Sequence, residues 1–180
     1  ANTMVLDTSD GLVLIDTSSM FHAHAVHTAI RGWSKQPLHT AVYTHGHVDH
    51  AYGLPPFLEE ARTRGWAGPS IVGHREVPAR MRRYAETAGY NARINARQFG
   101  IEVEWPTTAD FPTATYDERM ELAVGGVRIV LRHARGETDD HTCISLPDRG
   151  VLVTGDLFIW AAPNCGNPQK VQRWARDWAA

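Results

Sequence analysis

Between Thr44 and His50 the chain reads Thr-His-Gly-His-Val-Asp-His, which puts three imidazoles and one carboxylate into six residues directly after the apolar run Ala41-Val42-Tyr43. Packing alone serves such crowding poorly, because each polar group needs a partner when it leaves water, whereas a cation satisfies them together. In an extended segment alternate side chains point the same way, so His45 and His47 can grip one ion while Asp49 and His50 reach a second beside it. Two adjacent cations that share a bridging hydroxide and polarise a substrate form the two-metal arrangement of hydrolytic sites. The loop therefore points to metal-assisted hydrolysis.

The elements that must hold this loop are legible on either side of it. Leu12-Val13-Leu14-Ile15, led by Asp10-Gly11 and closed by Asp16-Thr17, reads as a buried strand after a turn. Phe21 to Arg31 has mixed helical character, and a second strand, Thr40 to Thr44, delivers the histidines into a loop. Leu54 to Gly65 reads as a helix with Pro55-Pro56 in its first turn and a glycine stop. A third strand, Ser70 to Gly73, precedes a basic helix from Glu76 to Ala88 that ends at Gly89. Strand and helix alternating in this way predict parallel pairing through crossover helices, hence an α/β organisation.

Tyr90 to Tyr116 reads as a helical segment followed by a long connection of the kind that lines or covers sites. From Leu122 the pattern changes. Leu122 to Val124, Val127 to His133, Thr142 to Leu146 and Val151 to Thr154 are strand-like runs joined by turn residues, which predicts an antiparallel meander. A last helix is expected from near Pro168 to the end. Asp16 at the close of its strand is expected to hydrogen-bond the ligand loop and set its geometry. His24 and His27 share a helix face with no carboxylate close in sequence and read as helix surface or core edge, as does His22.

With 180 residues, 43% hydrophobic and 21% charged, the composition is that of one globular domain, 1–180, with a sizeable core. A formal charge of −2 gives no field to draw nucleic acid or an anionic membrane, which leaves a small-molecule substrate as the expected partner and a homo-oligomer as the expected form of any assembly. Cys143 and Cys165 cannot supply a disulfide framework and read as free thiols in a reducing compartment, so a cytoplasmic location is expected. No apolar run is long enough to span a bilayer. Both ends read as cut, as in a fragment of a longer chain.

The His-X-His-X-Asp-His loop, placed after a strand and preceded by Leu14-Ile15-Asp16-Thr17, resembles the metallo-β-lactamase superfamily. Two further features occur in the order that family has them. Val127 to Leu131 leads into His133-Ala134-Arg135-Gly136-Glu137-Thr138, and Val151-Leu152-Val153 leads into Thr154-Gly155-Asp156. The resemblance implies an αββα sandwich, incomplete here at both ends and without the usual strands ahead of Asp10-Gly11. It implies His45, His47 and Glu137 as ligands of one cation, with Glu137 standing where the family has a third histidine, and Asp49, His50 and Asp156 at a second. Two divalent ions follow from that set, zinc above all, with manganese or iron favoured by the added carboxylate. Asp49 would also orient the attacking hydroxide. The family's downstream histidine has no counterpart, since no histidine follows His141. His141 is a candidate to replace it or to give a proton to the leaving group.

A glutamate at that position followed by Thr138-Asp139-Asp140-His141-Thr142 resembles the branch of the superfamily related to alkyl sulfatases. By that resemblance the substrate is an alkyl sulfate ester, held by Asn164, Lys170 and Arg173; Trp160, four residues after Asp156, is placed to wall an apolar pocket. Hydrolysis of lactones, thioesters or β-lactams on the same fold stays open, as does a metal-stabilised domain without catalysis.

Overall fold

The run Gly11–Ile15 has no polar face to offer to water, and every one of its residues is buried. In the computed structural model, which describes residues 2–100 and 102–157, this strand (β2) lies second in a five-stranded sheet. Met4–Thr8 (β1) pairs with it antiparallel, so a strand does precede Asp10-Gly11, contrary to the expectation. Helix Ala23–Trp33 (α1) leads to Leu38–Val42 (β3), which pairs parallel with β2. After the helical turn Val48–Ala51 (α2) comes the helix Pro55–Arg64 (α3), stopped by Gly65 in the left-handed conformation. Ser70–His74 (β4), helices Val77–Glu86 (α4) and Ala88–Phe99 (α5), and Ala114–Tyr116 (β5) complete this half, with β3, β4 and β5 parallel. β5 was not legible in the sequence because a three-residue edge strand shows too few alternations to register.

The expected meander is present. Arg119–Val124 (β6), Val127–His133 (β7), Thr142–Leu146 (β8) and Val151–Val153 (β9) form a second, wholly antiparallel sheet in chain order. Its inward residues Ile129, Leu131, Ile144 and Leu146 meet Val13, Ile15, Val42 and Val72 of the first sheet in one apolar core. The other face of the first sheet, through Leu12, Leu14, Ala41 and Tyr43, packs on Ile30, Phe57, Val77 and Met81 of the helices. Each such side chain contributes about 1.5–3 kcal/mol when fully buried, so the first sheet, covered on both faces, is the rigid member that fixes the strand ends.

The described residues thus give three layers, αββ. On the outer face of the second sheet Arg119, Glu121, Arg128 and Leu152 are exposed, and both arginines pair with Glu121. The helix expected from near Pro168 lies outside the described residues. No described helix is long and apolar enough to cross a membrane.

Candidate metal centre

Parallel strands β2 and β3 end side by side, Ile15 opposite Val42, so the residues that follow them emerge on one edge of the sheet. That carboxyl edge is where open α/β sheets place their ligands. Asp16 follows β2, and Thr44 to His47 follow β3. The second sheet brings Glu137 from the β7–β8 connection and Asp156 from just after β9, and the two segments are joined by a hydrogen bond from Glu137 N–H to the Asp156 carbonyl at 3.0 Å.

Two groups of ligand atoms converge there, each with all its atoms within 4.8 Å of one another: His45, His47 and Glu137, and His45, His50 and Asp156. In the first, His45 Nε2 and His47 Nδ1 are 2.8 Å apart and Glu137 Oε2 lies 2.9 Å from His47 Nδ1. His45 is fully buried, and His47 and Glu137 are 5% and 7% exposed, so none of the three is a solvated surface group. In the second, His50 Nε2 lies 3.4 Å from Asp156 Oδ2.

The hydrogen bonds behind these atoms settle which nitrogens carry lone pairs. Asp16 is 3% exposed; its carboxylate accepts the Thr44 N–H at 2.7 Å and the Thr44 hydroxyl at 2.8 Å. Having spent its proton on Asp16, Thr44 Oγ1 accepts from His45 Nδ1–H at 3.1 Å, which leaves the lone pair of His45 on Nε2, among the ligand atoms. His50 Nδ1–H donates to Asp16 Oδ2 at 2.6 Å, so its Nε2 is turned to Asp156. A carboxylate behind a histidine in this way fixes ring orientation and strengthens the ligand, as outer partners of metal sites do. The role expected of Asp16 has this geometry. Asp16 itself sits at φ 58°, a left-handed conformation that aspartate tolerates better than most residues.

Burial lowers the pKa of His50, but its bonds to Asp156 and Asp16 outweigh this and raise it to about 10. Burial raises that of Asp156, and His50 with His45 brings it below the usual carboxylate range. Two facing imidazole nitrogens and a carboxylate oxygen in one buried pocket are a donor set that a divalent ion fits.

The expected residues do not all converge. Thr44 to Gly46 bend and Val48–Ala51 is a helical turn, so the extended geometry expected for the loop is found at His47 alone. On a helical turn neighbouring side chains diverge, which sends His50 inward at 3% exposure and leaves the Asp49 side chain 59% exposed. Asp49 Oδ2 lies 3.6 Å from His50 Nε2, at the rim and outside both groups of ligand atoms.

His141 is fully buried behind His45, with ring centroids 5.5 Å apart, and belongs to neither group. Its Nδ1–H donates to the Ala134 carbonyl at 3.1 Å, and burial, then His45, push its pKa down to about 3. Its Nε2 faces Gly155, where a Cβ would come within 2.8 Å. A neutral ring with its proton on Nδ1 has none on Nε2 to give, so as placed His141 is not set to protonate a leaving group, and its Nε2 lone pair lies outside both groups of ligand atoms. Asn164, Lys170, Arg173 and Trp160 lie outside the described residues. His27 finds a carboxylate the sequence did not place nearby, Glu60 on α3 at 3.0 Å.

Comparison with known proteins agrees with this geometry: the profile of the metallo-beta-lactamase superfamily matches residues 1–164. The chain belongs to the metallo-β-lactamase superfamily. It is similar to a linear primary-alkylsulfatase of Pseudomonas sp. (strain ATCC 19151), 23% identical over 171 residues, covering 85% of this chain and 32% of that protein. Among solved structures, a double mutant of the sec-alkyl sulfatase PisA1 from Pseudomonas sp. matches with TM-score 0.78 at 23% identity, over 99% of this chain and 32% of that one. A metallo-beta-lactamase from Pontibacter korlensis matches with TM-score 0.62 at 24% identity, over 94% of this chain and 66% of that one. The chain thus spans about a third of the length of these alkylsulfatase relatives.

Proposed function

We propose that this chain carries the metal centre of a hydrolase that cleaves a small ester, with an alkyl sulfate ester as its substrate class. The observation that carries the proposal is the pair of ligand groups that share His45, one of them, with His47 and Glu137, wholly buried. The similarity to two alkylsulfatases supports the substrate class.

In this reading His45, His47 and Glu137 hold one divalent cation, and His50 and Asp156, joined by Asp49 from the rim, hold a second. A set of two histidines and one carboxylate suits zinc, while the extra carboxylates also serve manganese or iron. Divalent cations there supply Lewis acidity, making water a nucleophile near neutral pH and offsetting charge that builds on the ester oxygens. The protein's own residues do the rest. Asp16 holds His50 and, through Thr44, His45 in their ligating orientations. The buried side of the pocket is closed by His45 and His47, whereas Asp49 and Asp156, with side chains 59% and 30% exposed, face the side from which water and ester arrive. Asp49 is there to accept a proton from the attacking water. Asn164, Lys170 and Arg173 are assigned to the departing sulfate.

The test is a panel of alkyl sulfates, lactones and thioesters offered to the zinc-loaded protein, read as released sulfate or acid. Sulfate release that falls at least 100-fold in folded Asp49→Ala and Glu137→Ala protein is the expected result. Hydrolysis of carbonyl esters alone would overturn the substrate class, and turnover untouched by Glu137→Ala would overturn the site.

A further inference from the structure

Behind the ligand loop lies a buried ion pair that the chemistry above does not use. Asp140 is fully buried, and its Oδ1 accepts Arg80 Nε–H at 2.6 Å. Its Oδ2 accepts the backbone N–H of Gly46 at 2.8 Å, and Gly46 is the residue between His45 and His47. A Cβ on Gly46 would come 3.1 Å from Asp140 Oδ2 and 3.3 Å from Arg80 Cδ, so the glycine is what lets the pair approach the loop so closely. Asp140 lies three residues after Glu137, and His133 Nε2–H braces the same segment through the Asp139 carbonyl at 2.6 Å. One short segment therefore carries a ligand of the first group and the clamp on the peptide that joins the other two. Burial raises the pKa of Asp140, but Arg80, His45, Thr138 and the Gly46 amide outweigh it and keep the group ionised.

We propose that Asp140 and Arg80 are positioning residues for the first metal site: together they hold the Gly46 peptide where His45, His47 and Glu137 converge, so that α4, which contributes no ligand, sets the affinity for the ion. This rests on the metal centre proposed above. The physical warrant is that a peptide held by a charge-assisted hydrogen bond in a dry environment has little freedom, and the two rings on either side of it inherit that rigidity. Partners of this outer kind commonly change metal affinity 10–100-fold when removed. An ion pair serving only the fold would instead change stability and leave the affinity of the folded protein as it was.

The experiment titrates zinc alone into wild-type, Asp140→Asn, Arg80→Met, Arg80→Lys and His47→Ala protein, competing against a chromophoric chelator. Circular dichroism shows each to be folded at the assay temperature, and the visible bands of the cobalt-substituted forms report ligand geometry. Asp140→Asn and Arg80→Met are expected to bind the first zinc 10–100-fold more weakly with altered cobalt bands, with partial recovery in Arg80→Lys. Arg80→Met keeps the Asp140 side chain but removes the partner that holds it against Gly46, so it carries the test if Asp140→Asn does not fold. Zinc affinity within twofold of wild type in the folded variants, with only a lower thermal midpoint, overturns the proposal. Equal zinc binding by wild type and His47→Ala would instead overturn the metal centre on which it rests.

Discussion

Replacing Asp16 by alanine probes the support of the metal loop at its most connected point. Three donors converge on this buried carboxylate: Thr44 N–H at 2.7 Å, the Thr44 hydroxyl at 2.8 Å and His50 Nδ1–H at 2.6 Å. Asp156 and Asp16 together raise the pKa of His50 to about 10 against the effect of burial, and the substitution removes one of these two partners. Breaking a buried pair of this kind costs about 3–5 kcal/mol. An unsatisfied Thr44 N–H adds about 1–3 kcal/mol, and alanine at φ 58° adds about 1 kcal/mol. These losses share the same groups and do not sum, so the expected destabilisation is about 4–5 kcal/mol. An asparagine side chain would keep an acceptor for Thr44 N–H and tolerate the backbone, so Asp16→Asn should lose about half as much, roughly 2–3 kcal/mol. The assay is urea unfolding in the presence of a chelator, followed by circular dichroism. A loss below about 1 kcal/mol in Asp16→Ala would refute the claim that this carboxylate organises the loop.

Other perturbations reach different parts of the account. Gly53→Ala should destabilise severely, because a Cβ there would lie 1.9 Å from the Thr17 carbonyl oxygen, and thermal unfolding compared with an inert Gly68→Ala reads the difference. The Cys143 thiol, pushed up to about 11 by burial, should react with iodoacetamide at pH 8 at least tenfold more slowly than a free thiol of ordinary pKa, measured by mass spectrometry. His74 stacks on His133 with ring centroids 3.9 Å apart, and burial, then His133, lower its pKa despite nearby Asp140 and Glu76. The unfolded chain then binds the proton more readily than the folded one, so stability falls as pH drops below about 6.5. Denaturation across pH 7.5 to 5 should show a shallower fall in His74→Gln, and an unchanged slope would contradict this.

Much of the fold was written in local pattern. The all-apolar run at Leu12 to Ile15, the proline and glycine that bound α3, and the alternation from Leu122 onward each specify their element within a few residues, and the structure has all of them. The ligand loop was legible for the same reason, since the crowding of His45, His47 and His50 has no good apolar explanation. What the sequence concealed depends on the third dimension. Whether Asp139 or Asp140 turns inward is decided by Arg80 arriving from a helix 60 residues earlier, and no local signal marks that partner. The helical turn at Val48–Ala51 is too short to show a period, so nothing in the sequence marks that Asp49 and His50, expected to reach one ion together, diverge in direction. That the Ala134 carbonyl takes the Nδ1 proton of His141 is likewise invisible in the sequence, because the two residues are brought together only by the turn between β7 and β8.

The central claim is that the two ligand groups around His45 hold two divalent ions. Protein purified without a metal-affinity step, saturated with zinc, desalted and analysed by plasma mass spectrometry should carry two zinc ions per chain, falling to one or none in Glu137→Ala. Less than one ion per wild-type chain, or the same content in Glu137→Ala, would contradict it.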